Sequence, residues 1–74
     1  MIQEHDQVVL TKDLPAHGLV AGDIGTAIAI HQGGAGYTLE FVTLQGQTLA
    51  IVSVQAADVR PARDRELAHV RAAE

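Results

Sequence analysis

Residues 24–54 read IGTAIAIHQGGAGYTLEFVTLQGQTLAIVSV, and this stretch decides the fold. Residues 24–31 and 36–43 place apolar side chains at every second position, the period of a strand with one buried face. Between them stand Gln32, Gly33, Gly34 and Ala35, whose adjacent glycines admit the positive φ that a tight hairpin requires. Gln45, Gly46 and Gln47 mark a second hairpin, followed by a strand over residues 48–54 that is apolar on both faces. Three strands joined by two tight turns form an antiparallel meander.

Outward from the meander the pattern stays short and strand-like. Residues 7–11 predict a first strand with Val8 and Leu10 on one face and Val9 on the other. Residues 12–23 form a long loop holding Asp13, Pro15, Gly18 and Gly22, the residue types that set turn geometry. Downstream, residues 55–57 predict a single helical turn, and residues 58–60 a short fifth strand stopped by Pro61. Strand, long loop, three hairpin-linked strands, turn and short strand are the connectivity of a small five-stranded SH3-like barrel, an all-β fold. Residues 1–61 make up this domain. Residues 62–74, rich in Ala, Arg, Glu and Leu and free of glycine, predict a short C-terminal helix with Leu67 and Val70 on one face. A helix of about a dozen residues is marginal alone and must dock to persist.

Composition excludes several classes. The chain of 74 residues has no cysteine, which removes disulfides, thiolate metal sites and cysteine nucleophiles. Its polar start reads as no signal peptide, and no apolar run approaches the ~20 residues of a membrane span. We therefore expect a cytoplasmic protein without membrane association. The net charge is −4. Through Val59 a single base, Lys12, faces Glu4, Asp6, Asp13, Asp23, Glu40 and Asp58, a body that would repel a phosphate backbone. Arg60, Arg63, Arg65 and Arg71 in the tail are diluted by Asp64, Glu66 and Glu74. No nucleic-acid partner is expected.

No arrangement of residues announces catalysis. His5, His17, His31 and His69 fall at no metal-binding spacing, and no cofactor motif occurs. Ser53, the only serine, lies in mid-strand without a Gly-x-Ser-x-Gly elbow. Gly33, Gly34 and Gly36 are not followed by the Lys-Ser/Thr of a phosphate loop. Tyr37 and Phe41, the only aromatics, both fall on the expected core face, which leaves none for a proline-peptide groove.

The pattern Asp6-x-Val8-x-Leu10, Asp13-Leu14-Pro15-x-His17-Gly18-Leu19, Gly22-Asp23-x-Gly25-Thr26, Tyr37-x-Leu39-Glu40-Phe41-Val42 and Asp58-Val59-Arg60-Pro61 resembles a family of short bacterial proteins of unknown function over about residues 4–61. Its Gly-Asp-x-Gly-Thr turn and Tyr-x-Leu-Glu-Phe strand are also similar to the SH3-like domain of the nitrile hydratase β subunit. That resemblance implies an SH3-like barrel. The nitrile hydratase metal is held by a cysteine cluster on the other subunit, so the resemblance implies an accessory role at most. Fold alone does not transfer function.

The strongest functional signal is a second apolar face. With Val8, Leu10, Ile28, Ile30, Tyr37, Leu39, Phe41, Leu49 and Ile51 inside, the residues Val9, Ala27, Ala29, Val42, Ala50, Val52 and Val54 point outward. A contiguous patch of this kind marks an interface. Either the tail covers it through Leu67 and Val70, or a second copy does so about a symmetry axis. We expect a non-enzymatic interaction module that forms a homo-oligomer. The 12–23 loop, rich in apolar residues, either packs on the barrel or offers Leu14, Pro15, His17 and Leu19 to a partner protein. The alternatives are an accessory subunit of a metalloenzyme, or a small-ligand binder at a subunit interface.

Overall fold

A computed structural model describes residues 1–73. Five antiparallel strands follow in chain order: β1 (Gln7–Leu10), β2 (Ile24–His31), β3 (Gly36–Val42), β4 (Thr48–Gln55) and β5 (Val59–Pro61). Short 3-10 turns at Pro15–His17 and Ala56–Asp58 precede β2 and β5. The strands form one sheet in the order β4-β3-β2-β1-β5. No ladder joins β4 to β5 among the described residues, so the sheet is open where a closed barrel was expected.

Both hairpins form at the glycines. Gln32, Gly33 and Gly34 all take positive φ, and the His31 carbonyl accepts from the Gly34 and Ala35 amides. At the second turn Gly46 has φ +89°, and Thr43 braces it with its carbonyl, its amide and its side-chain oxygen.

The core is one cluster that includes Val8 and Leu10 of β1, Val59 of β5, Tyr37, Leu39 and Phe41 of β3, and Val52 and Val54 of β4. Residues from both ends of the strand order therefore meet, which requires the sheet to curl over its apolar face. Ile2 joins this core. A turn at residues 3–6, held by the Gln3 amide on the Asp6 carboxylate, brings it in.

The face assignment differs from the expected one in two strands. In β2, Gly25 and Ala27 are buried while Ile24 and Ile30 are exposed. In β4, Val52 and Val54 are buried, Ala50 packs against the core, and Leu49 and Ile51 face solvent. The cause is complementarity across β3. Tyr37 pairs with Val54, Leu39 with Val52 and Ala27, and Phe41 with Ala50. Large side chains on the central strand demand small ones opposite, since directly paired residues share a face. A bulge at Ile28 and another at Leu49 absorb the remaining mismatch.

Residues 62–73 contain no helix and are exposed throughout, correcting the predicted C-terminal helix; its final residue, 74, lies outside the described residues. Leu67 and Val70 are 87% and 83% exposed and do not seal the sheet. Two ion pairs hold the tail instead. Arg60 grips Glu66 through Nη1 and Nη2, and Arg71 reaches Asp23. No helix among the described residues is long and apolar enough to cross a membrane.

Candidate functional site

The loop between β1 and β2 is built to deliver Asp23. Leu14 and Leu19 form a β-bridge across its neck, with Leu19 buried in the core and Leu14 packed against it. Gly18, at φ 70°, ends the 3-10 turn between them. The Asp13 carboxylate accepts the Ala21 amide at 2.8 Å across the loop, and the Asp23 carboxylate accepts the Val20 amide at 3.0 Å. The Leu10 amide donates to the Asp23 carbonyl, which ties the end of the loop to β1. Side-chain oxygens here satisfy backbone donors that the irregular chain would otherwise leave open.

Asp23 lines an apolar cleft of about 630 Å³. Leu19, Ile24, Phe41, Val42, Leu44 and Leu49 contribute its apolar lining. The tail also lines the cleft, through residues 68–73. Arg71 donates from Nε to Asp23 Oδ1 at 2.8 Å, from Nη2 to Asp23 Oδ2, and from Nη2 to the Gly18 carbonyl at 3.0 Å. This is a two-pronged guanidinium–carboxylate pair, the geometry that gives arginine its specificity for carboxylates. Arg71 holds the Asp23 carboxyl below its ordinary value; partial burial opposes the shift and the Val20 amide adds to it. The Arg71 pKa is raised in return.

The second tail clasp is tighter in its effect on charge. Glu66 accepts from Arg60 and from the Arg63 amide, and its pKa falls to about 2, chiefly through Arg60.

The expected partner-binding residues are divided by this arrangement. Leu14 and Leu19 belong to the packing of the loop, and Pro15 and His17 are exposed at its tip. The expected interface residues divide too. Ala27, Val52 and Val54 are interior, and Val9 is 9% exposed between Ile24 and Arg60; Ala29 and Ala50 are half-buried. Val42 remains exposed. In place of the interior residues the surface carries Ile30, Leu49 and Ile51, which alternation had assigned to the core. Sequence reading also missed the Asp23–Arg71 pair. Its only trace in the sequence is the segregation of bases into the tail opposite an acidic body.

No group of three or more potential metal-ligating side chains occurs among the described residues. On the outer face His31 Nε2 lies 2.6 Å from Thr38 Oγ1, which lies 3.2 Å from Ser53 Oγ. Thr38 and Ser53 are paired in the β3–β4 ladder, so these contacts form a cross-strand polar row.

Fold and site together define a small all-β domain on an open five-stranded antiparallel sheet, with an apolar cleft lined in part by a carboxylate. The chain belongs to the family DUF4926, a domain of unknown function, whose model matches residues 4–61. The match ends with β5 and leaves out the tail. Neither a curated protein nor a solved structure matches the chain.

Proposed function

We propose that the domain is a non-enzymatic interaction module of SH3-like architecture that self-associates along the free edge of β4. The SH3-like reading is supported by the strand order and by the 3-10 turn that leads into β5. The observation that carries self-association is the contrast between the two sheet edges. β5 is three residues long and contains Arg60 and Pro61, which blunt an edge against further pairing. β4 runs eight residues, TLAIVSVQ, without a charge or a proline. Its Ile51 is 57% exposed and its Leu49 46%. The bulge at Leu49 leaves residues 50–55 as the regular stretch for pairing. An uncovered, uncharged edge of this length is a template for another strand, and a second copy of β4 in antiparallel register would use it symmetrically.

Contact with a different protein through the 12–23 loop narrows to Pro15 and His17, because Leu14 and Leu19 are engaged in packing.

Light scattering coupled to size exclusion tests the reading. The full chain should elute as a dimer or larger, and Ile51→Lys should elute as a monomer with an unchanged circular dichroism spectrum. A full chain that stays monomeric at high concentration refutes self-association.

A further inference from the structure

The tail satisfies the polar part of the cleft and neglects the apolar part. Arg71 engages both oxygens of Asp23 and the Gly18 carbonyl. Yet Val70, one residue away, remains 83% exposed. Ile24, Val42, Leu44 and Leu49 also stay exposed with the tail in place. Ala72 and Ala73, beside Arg71, add little apolar bulk, and about 630 Å³ between the tail and the sheet stays empty. The tail therefore presents the charge this site takes and lacks the apolar bulk the site could bury.

From this we infer that the cleft is a recognition site for an arginine-bearing peptide segment of another protein, and that residues 68–73 are its resident occupant in cis. The ligand class follows from the groups present. Asp23 has both oxygens directed at a planar guanidinium and is steadied by the Val20 amide, and a backbone carbonyl takes a further N–H. That set favours arginine over lysine, whose ammonium is a point charge without the fork. The acidic body attracts a basic segment at longer range. The floor of Leu19 and Phe41 and the rim of Ile24, Val42 and Leu49 suit aliphatic side chains flanking the arginine. The ion pair holding the tail is open to solvent on its Arg71 side, which weakens it, so a segment that also buries apolar surface displaces it. The tethered tail competes at an effective concentration of order millimolar, which masks the site from weaker ligands.

The inference is independent of pairing at the β4 edge and is tested on the full chain. An acetylated, amidated peptide of sequence ELAIIRLA, with bulkier aliphatic flanks than residues 66–73 carry, is titrated into isotope-labelled wild type and Arg71→Ala, following amide shifts by NMR. The same peptide with citrulline in place of arginine serves as the neutral control. Arg71→Ala should bind the arginine peptide about fivefold more tightly than wild type does, with shifts at residues 18–24 and 41–49. Citrulline, or Asp23→Asn in the Arg71→Ala chain, should each lose about fivefold. Asn retains an oxygen for the Val20 amide, and the citrulline arm needs no second protein variant. Equal binding of the two peptides, or no binding to Arg71→Ala, overturns the proposal. A wild-type dimer that becomes monomeric on Arg71→Ala also overturns it, by assigning the site to the tail of a second copy.

Discussion

The ring of Phe41 lies over Gly25 so closely that a Cβ at residue 25 would stand 2.9 Å from both Cε1 and Cζ. The same Cβ would be 3.3 Å from the Glu40 carbonyl. Gly25 is thus required by its neighbour on β3 and not by its own backbone, since its φ is ordinary for a strand. The second glycine of the Gly-Asp-x-Gly-Thr turn is where a large aromatic enters the core.

Gly25→Ala should therefore lower stability by about 1–3 kcal/mol through overpacking. Chemical denaturation measures it. In the double variant Gly25→Ala/Phe41→Leu the two costs should fall short of adding, because the smaller side chain removes the clash. Strict additivity would mean that the ring does not set the constraint.

The phase of β4 predicts opposite sensitivities for adjacent residues. Val52→Ala removes buried methyl groups opposite Leu39 and should cost about 2 kcal/mol. Ile51→Ala, on the exposed face, should change stability by about 0.5 kcal/mol or less in dilute solution. The reverse order would restore the alternation that places Ile51 inside.

The first hairpin carries a correctable strain. Gln32 has φ 50° and Gly33 φ 69°, both left-handed. Gln32→Asn should stabilise by about 0.5 kcal/mol, since asparagine tolerates this region. Gly33→Ala meets no atom within 4 Å and still should cost about 1–2 kcal/mol from backbone strain alone. Thermal unfolding of the two variants separates conformational strain from steric strain.

Acid should free the tail. Asp23 and Glu66 are carboxylates whose pKa is lowered in the folded chain, so their contributions are fully present above the ordinary values and are lost as pH falls through the lowered ones. For Glu66 the window runs from 4.5 down to about 2. Amide shifts of residues 63–73 should move toward unstructured values across this range, and 1 M salt should shift them in the same direction at neutral pH. Tail shifts that stay constant between about pH 5 and about pH 2 would show that these pairs do not hold the segment.

The strands, both hairpins and the turn before β5 were legible because each rests on local chemistry. Paired glycines permit positive φ and alternation marks a half-buried strand, while β5 runs over Val59–Pro61, one residue later than expected. The predicted helix failed for the converse reason. Helical propensity over residues 62–74 is a weak preference, and Leu67 and Val70 found no surface on which to dock. Arg60 and Arg71 then tied the tail down in an irregular path. The candidate site was half visible: Leu14 and Leu19 stood out as apolar residues in a loop, packed on the barrel or held for a partner, and their place in the core decides for packing.

By itself the sequence determined the all-β class, the strand boundaries to within a residue and the absence of thiol chemistry, because composition and residues adjacent in the chain suffice for these. Only the tertiary structure decided which face of β2 and β4 is inside. Those strands are apolar on both sides, and the choice rests with Tyr37, Leu39 and Phe41 on the strand between them. It likewise decided that Asp23 meets Arg71, 48 positions along the chain, since no local pattern encodes which charge a tail will find.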